Sequence, residues 1–237
     1  MRFILACLSA FVAIVFIFST NVEAYPKATD QAQRWQLDVE VGDLFFHRDQ
    51  KSGQGYWALK YEVTNNTGVD RQWTPNFELA TDRGELISDG ADVPRRVQQD
   101  VLDRYGDELL RAQSDVSGSL LLQGEANAIR GLVIWLAGSE SELAQQDKGQ
   151  WGIKGKEIKI FVAGVSGDTA SVIHPITGVE HKLHRVIQLA WFITERFDRL
   201  GELSQHPVSS GLSTRRLQVG EKDAIGGDEI SRKWIFR

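Results

Sequence analysis

The stretch YWALKYEVTNNTG, residues 56–68, indicates the fold class by itself. Every second side chain from Trp57 to Val63 is apolar, and polar side chains lie between them. A period of two residues is typical of a half-buried β-strand. The Asn-Asn-Thr-Gly that follows favours a tight turn, because Asn and Gly tolerate positive φ. The stretch therefore predicts one strand and the start of a hairpin.

The same rhythm continues on both sides of this stretch. Residues 35–41 alternate in the same way, and the polar loop 47–55 separates the two strands. Phe77 and Leu79 alternate after Pro75, and turn sequences recur at a spacing of roughly 8–12 residues, which favours a sandwich or a barrel. Further strands are predicted at 120–122, 131–137, 157–165, 170–173, 179–183 and 186–194, the last as a central strand.

One segment breaks the β pattern. In PRRVQQDVLDRYGDELLRAQ, residues 94–113, the apolar side chains follow a period near 3.6 residues, which predicts an amphipathic helix. Asp92 is the expected N-terminal cap. Gly106 costs about 1 kcal/mol relative to Ala inside a helix, so two shorter helices are an alternative. We expect the helix to close over a sheet edge or an open end of the sheets.

These patterns predict a mostly β fold, an immunoglobulin-like antiparallel β-sandwich with one amphipathic helix inserted between strands. The Cys…Trp…Cys spacing of antibody domains is absent, so the immunoglobulin-like label depends on the strand rhythm. We expect a polar lead-in at 25–34 and a single domain at 35–237. Within that domain, 195–231 is predicted as an extended surface segment and 232–237 as a closing strand.

The first 24 residues, MRFILACLSAFVAIVFIFSTNVEA, have the order of a secretory signal peptide. Arg2 is followed by an apolar run, and Val-Glu-Ala forms a small-residue cleavage pattern that ends at Ala24. The sequence therefore predicts a secreted or periplasmic protein. The apolar run is long for a signal peptide, so an uncleaved membrane anchor is the alternative.

Composition excludes several classes of protein. Cys7, in the leader, is the only cysteine, so the mature chain would have no disulfide, no Cys-ligated metal and no thiol nucleophile. The net charge of −5 argues against nucleic acid as a partner, because binding phosphates requires concentrated positive charge.

Five segments together resemble a known group of proteins: YEVTNNTG, FELATDRGE, LLQGEANAIRGLVIW, EIKIFVAGVSG and the terminal RKWIFR. Their combination is similar to uncharacterised secreted proteins of planctomycete-type bacteria, and the first two also resemble bacterial extracellular immunoglobulin-like modules. The resemblance covers most of 35–194 and the C-terminus. It implies a secreted β-sandwich, and it carries no known activity and no catalytic residue that could be transferred to this chain.

Three histidines, His174, His181 and His184, lie within eleven residues. On a strand, positions three apart lie on opposite faces, so His181 and His184 would diverge. A solvated hairpin tip is therefore expected rather than a metal site.

Two further patterns resemble functional motifs. Gly164-Val165-Ser166-Gly167 lacks the second glycine of a nucleophile elbow, since Asp168 stands there, and predicts a turn with no catalytic residue. The acidic pairs at turns, Asp82 with Glu85 and Asp89 with Asp92, are expected as solvated carboxylates.

The candidate binding residues are two tryptophans and a polar island. Trp73 and Trp151 stand in polar loops, where a Trp side chain can stack on a sugar or anchor a protein partner. The alternative is that they cap the ends of the sandwich. The polar island lies between two predicted apolar strands and consists of Glu125, Asn127 and Arg130. These residues would form either a binding site or a local hydrogen-bond network.

These observations predict a secreted or envelope-associated binding or structural module, with an envelope protein or a glycan as partner and no cofactor. A membrane would be a partner only if the leader stays uncleaved. The alternative is an envelope hydrolase that acts on polysaccharides or esters. We favour the binding module, because the sequence contains no paired-carboxylate or nucleophile–base motif.

Overall fold

The alternating strands pair into sheets in the computed structural model, which describes residues 25–81, 84–138, 157–192, 223–225 and 228–237. In chain order the strands and helices are β1 (Asp38–Arg48), β2 (Gly55–Thr64), β3 (Arg71–Gln72), β4 (Asn76–Thr81), β5 (Leu86–Ser88), α1 (Arg95–Tyr105), β6 (Arg111–Ala112), α2 (Gln113–Val116), β7 (Leu120–Leu121), β8 (Ile129–Gly138), β9 (Glu157–Ala163), β10 (Thr169–Ile173), β11 (Glu180–Phe192), β12 (Asp223–Ile225) and β13 (Asp228–Phe236).

Two main sheets form from these strands. The smaller sheet has the order β1-β2-β8-β6, and the larger has the order β12-β13-β11-β9-β4-β5, with β10 paired to β11. Strands β3 and β7 form a separate two-stranded pair. The pairing is antiparallel except between β6 and β8, which run parallel.

The inner faces of the two sheets share one hydrophobic core. The smaller sheet contributes the alternating set Trp57, Leu59, Tyr61 and Val63 of β2. The larger sheet contributes side chains from β4, β9, β11 and β13 to the same cluster. The prediction of a mostly β, antiparallel sandwich is thus confirmed. The immunoglobulin-like assignment stays a prediction.

Helix α1 lies on the outer face of the smaller sheet. Val97 and Val101 pack there with Tyr56 and Ala58 of β2 and form a second cluster. Because the helix covers this face, the run 55–59 is buried on both sides, whereas polar side chains alternate further along β2. The helix therefore does not close a sheet edge or an open end, as expected from the sequence, but forms a third layer on the outer face of the smaller sheet.

The ends of α1 differ from the prediction. The helix stops at Gly106, which adopts φ 60° and donates its N–H to the carbonyl of Leu102 at 3.2 Å. The predicted helix over 94–113 therefore divides, and its last residues form β6 and the start of α2. Asp92 has φ 57° and Pro94 occupies the cap position without a side-chain hydrogen bond, so Asp92 does not cap the helix.

Strand β11 joins two segments that the sequence separated. The predicted strands at 179–183 and 186–194 are one strand of 13 residues, between β9 and β13 in the larger sheet. Strand β13 pairs with it through register partners such as Ile187 and Trp234. Most of the predicted surface segment 195–231 lies outside the described residues. Within the described ranges, no helix is long and apolar enough to cross a membrane.

Candidate functional site

A cavity of about 330 Å³ opens beside the edge of β8. That volume lies at the lower end of the range for small-molecule sites, roughly 300–1,000 Å³. Its walls come from the ends of β4 and β5, from α1, from α2 and from β8. The lining residues are Pro75, Asn76, Phe77, Asp89, Gly90, Gln98, Gln113, Ser114, Ser117, Leu132 and Ile134.

Asp89 and Gly90 form one wall of the cavity and hydrogen-bond to the backbone at the edge of β8. Strand β6 pairs with β8 only as far as Leu132. Beyond that point, the N–H of Ile134 donates to Asp89 Oδ1 at 2.8 Å, and the N–H of Gly90 donates to the carbonyl of Ile134 at 2.9 Å. A side-chain carboxylate thus satisfies a strand edge that would otherwise be unpaired.

The carboxyl of Asp89 has an unusual acidity. Burial raises its pKa to about 7, although the backbone N–H groups of Ile134 and Gly90 partly offset this effect. Desolvation disfavours the charged form of a carboxyl, which is the physical cause. The expectation of a solvated turn carboxylate is wrong for Asp89. A group that titrates near neutrality in a cavity is a candidate functional group.

Gln113 forms the opposite wall, and a hydrogen-bond chain from Trp73 through Tyr61 fixes the orientation of its side chain. The indole Nε1 of Trp73 donates to the hydroxyl oxygen of Tyr61 at 3.2 Å, and the Tyr61 hydroxyl is hydrogen-bonded to Gln113 Oε1. Because the Tyr61 oxygen already accepts from Trp73, its own hydrogen needs an acceptor, and Oε1 supplies it. The Nε2 group, a donor of two hydrogens, is then left for the cavity.

Gly131 makes this arrangement sterically possible. It lies opposite Tyr61 in the β2–β8 register, and the Tyr61 ring lies directly over it. A Cβ at position 131 would collide with the ring atoms of Tyr61. The glycine therefore lets the Tyr61 hydroxyl cross β8 and reach Gln113.

The remaining lining is neutral and polar, with an apolar floor. Gln98 of α1 and the hydroxyl groups of Ser114 and Ser117 supply donors and acceptors, while Leu132 and Ile134 are apolar. Asp89 is the one carboxylate among the described lining residues. Hydrolysis of a glycoside normally needs two carboxyl groups that flank the bond.

None of the candidate binding residues that the structure describes lines this cavity. Trp73 is fully buried, so it is a core residue and not an exposed stacking surface, although it supports Gln113 through Tyr61. Glu125 and Asn127 lie in an exposed 3₁₀ turn. Arg130 instead donates from Nε to Glu62 on β2 at 2.7 Å. Trp151 lies outside the described residues.

The histidine cluster is only partly assembled. The rings of His174 and His181 have centroids 6.2 Å apart, and His174 Nδ1 accepts from the N–H groups of Ile176 and Thr177. In the part of the chain that the structure describes, no three His, Cys, Asp or Glu side chains are grouped as metal ligands would be.

Sequence reasoning missed the cavity because its two main groups look ordinary. Asp89 precedes a glycine and reads as turn chemistry, and Gln113 ends an amphipathic pattern. Gly131, placed opposite Tyr61 at the start of an apolar strand, was the available signal, since glycine inside a strand often marks close approach of another group.

Comparison with protein-family models, with curated proteins and with solved structures finds no match for this chain.

Proposed function

We propose that the protein is an exported module of the cell envelope that binds a small, neutral, polar group of a glycan in the Asp89 cavity. The observation that carries this proposal is the cavity itself, in which a carboxylate and an oriented amide face one small volume. In small-molecule sites a few well-placed polar groups fix the orientation of the ligand. Asp89 and Gln113 can act in this way, in a lining that is otherwise mainly polar above an apolar floor.

The charge of the lining limits the ligand. Above the pKa of Asp89, an anionic group would meet the ionised carboxylate without any described cationic side chain in the lining to balance it. Hydroxyl and amide groups avoid that cost, because they can donate to Asp89 and accept from Gln113. Buried polar groups of the site are then satisfied, which is the main source of specificity in such pockets.

An envelope hydrolase is the competing function, and one observation favours it. A carboxyl with a pKa of about 7 is well placed to act as a general base at neutral pH. Ser114 and Ser117 line the same cavity, but no described lining side chain is a histidine or lysine that could activate either serine. Binding without cleavage is therefore the better supported function.

Export is part of the proposal and is supported by the order of charged, apolar and small residues in the first 24 positions. The test is N-terminal sequencing of the protein recovered from its native envelope. A new N-terminus near Tyr25 would support cleavage. An intact Met1 on membrane-embedded material would support the anchor instead.

The binding proposal is tested by two-dimensional NMR of the protein expressed from its full coding sequence. Glucose, N-acetylglucosamine and glycerol are added separately, and the backbone N–H of Ile134 and the side-chain NH₂ of Gln113 are followed. At least one sugar should shift both signals in a saturable way. Failure of every probe to shift them would contradict the proposal, and release of p-nitrophenol from p-nitrophenyl acetate that Asp89→Asn abolishes would favour the hydrolase.

A further inference from the structure

The two polar walls of the cavity lie in a defined order along β8. Ala112, which precedes Gln113, is the register partner of Leu132, and Asp89 binds the N–H of Ile134. Two residues along a strand correspond to roughly 7 Å. Gln113 comes one residue after Ala112, so Gln113 and Asp89 flank β8 within about this distance of each other along the strand.

The chemistry of the two walls is complementary. Gln113 Nε2 has no hydrogen-bond partner among the residues that the structure describes, and its side chain is only 8% exposed. Asp89 offers about four acceptor positions in its ionised form, and its two backbone neighbours do not use all of them. One end of the cavity therefore donates and the other accepts.

We propose, building on the function proposed above, that this cavity recognises the acetamido group of an N-acetylated sugar, whose amide N–H donates to Asp89 while its carbonyl oxygen accepts from Gln113 Nε2. In a trans amide these two groups point in opposite directions. With one hydrogen bond of about 2.9 Å at each end, an amide group can bridge a donor and an acceptor on opposite walls of a cavity of this volume.

Other common groups fit the pair less well. A single hydroxyl can donate and accept, but only at one atom, so it reaches one wall and leaves the other unpaired. A carboxylate would be repelled by the ionised form of Asp89, and an ammonium would leave Gln113 Nε2 without an acceptor. An unpaired buried polar group costs its full desolvation, so sites of this kind reject analogues that lack one hydrogen-bonding group. The apolar side chains of Leu132 and Pro75 line the same space and can receive the methyl of the acetamido group.

The test compares three sugars that differ at one position: N-acetylglucosamine, glucose and glucosamine. Affinities are measured by NMR titration of the protein expressed from its full coding sequence. N-acetylglucosamine should bind at least tenfold more tightly than either of the others. Equal binding of N-acetylglucosamine and glucose would overturn the acetamido inference and leave the proposed function standing. Absence of binding by all three would overturn both.

Two variants assign the contacts. Gln113→Glu keeps the shape and the acceptor for Tyr61 but removes the donor, so N-acetylglucosamine should lose at least tenfold in affinity. Asp89→Asn replaces one carboxylate oxygen by an NH₂ group, while the remaining oxygen can still accept from the N–H of Ile134. If the ligand's amide N–H donates to Asp89, this variant should also lose at least tenfold in affinity for N-acetylglucosamine. Gln31→Glu, in the exposed lead-in, is the control with the same change of charge.

Folding of each variant is checked by the dispersion of its amide spectrum. Should Gln113→Glu not fold, Asp89→Asn alone decides the assignment. Retained affinity for N-acetylglucosamine in a folded Gln113→Glu or Asp89→Asn protein would overturn the inference.

Discussion

The guanidinium carbon of Arg185 lies 3.9 Å from the ring centroid of Trp234. Arg185 is in β11 and Trp234 is in the adjacent strand β13, and their side chains are 1% and 5% exposed. Attraction between a cation and an aromatic face strengthens when both are desolvated. This stacking ties the last strand of the chain to the centre of the larger sheet.

The same arginine also holds the beginning of the described chain. Its Nη2 donates to the carbonyls of Thr29 and Asp30 at 2.6 and 2.9 Å, and its Nη1 donates to Gln36 Oε1 at 2.7 Å. Asp168 completes the attachment, because its carboxylate accepts from the backbone N–H groups of Gln33 and Arg34, each at 2.8 Å. The polar lead-in is therefore fastened to the sandwich.

Replacing Arg185 by Met should release the lead-in and weaken the fold. The substitution keeps part of the side-chain volume but removes the hydrogen bonds that Arg185 donates to the lead-in. Loss of one member of a buried polar network typically costs about 3 kcal/mol or more. We expect a fall of this size in the free energy of unfolding, measured by urea denaturation, and faster trypsin cleavage after Arg34. Arg95→Met, at an exposed position of α1, is the matched control. Equal stability of the two variants would contradict the role of Arg185.

Removal of residues 233–237 should lower stability by more than about 2 kcal/mol, because burial of one large apolar side chain contributes about 1.5–3 kcal/mol. Trp234 accounts for most of the expected loss, since it is nearly buried and lies under Arg185. The measurement is chemical denaturation of the truncated protein, with light scattering to detect aggregation. The full-length variant Trp234→Phe should lose less stability than the truncated protein, because it keeps an aromatic ring at this position. Unchanged stability after truncation would mean that the terminus contributes little.

Stability should fall as the pH rises through the range in which Asp89 ionises. Its pKa is raised from 3.8 to about 7 in the folded protein, so the folded state keeps a proton that the unfolded state has lost. Between these values the folded state binds more protons, and stability therefore decreases with increasing pH. The full effect corresponds to about 4 kcal/mol, as an upper limit.

The variant Asp89→Asn isolates this contribution. It should be more stable than the parent protein at pH 8 and should lose most of that advantage near pH 4.5, as measured by urea denaturation at both values. Asp92→Asn, at an exposed neighbouring position, should leave the pH profile unchanged. If the Asp89→Asn profile retained the slope of the parent, burial of the carboxyl would not be its source.

His47 should produce a slope of the opposite sign. Its side chain is 6% exposed, and neither ring nitrogen has a hydrogen-bond partner among the described residues. Burial lowers its pKa, and Arg104 and Arg96 lower it further, while Asp100 and Asp49 oppose them. The unfolded state then binds the proton more readily, so stability is lost as the pH falls below about 6.5.

The variant His47→Phe tests this assignment, because it keeps a ring of similar size and cannot be protonated. At pH 5.5 it should lose less stability, relative to pH 7.5, than the parent protein does. His181→Phe, at an exposed position of β11, is the control and should follow the parent. Identical acid sensitivity of all three proteins would exclude His47 as the cause.

The sequence predicted what depends on local periodicity. Alternation identified the inner face of β2, because each strand buries one face against the other sheet. It did not place α1, since an amphipathic pattern shows that a helix covers something and not which surface it covers. The cavity could not be predicted from the sequence for a related reason. Asp89 and Gln113 are 24 positions apart in the chain, and only their shared neighbour β8 brings them together.

Gly131→Ala should disrupt the hydrogen bond between Tyr61 and Gln113 that supports one wall of the cavity. The added Cβ would meet the Tyr61 ring, and the ring must then move away from Gln113. Overpacking of a core typically costs about 1–3 kcal/mol, and a loss of this size is expected by urea denaturation. The indole N–H signal of Trp73 should also shift, because Trp73 donates to the displaced hydroxyl. Gly42→Ala is the matched control, since its Cβ would lie 3.6 Å from the nearest atom, the carbonyl oxygen of Lys60, at ordinary contact distance. A Trp73 signal that stays in place in a destabilised Gly131→Ala protein would show that Tyr61 does not depend on the glycine, and the fixed orientation of Gln113 would then need another cause.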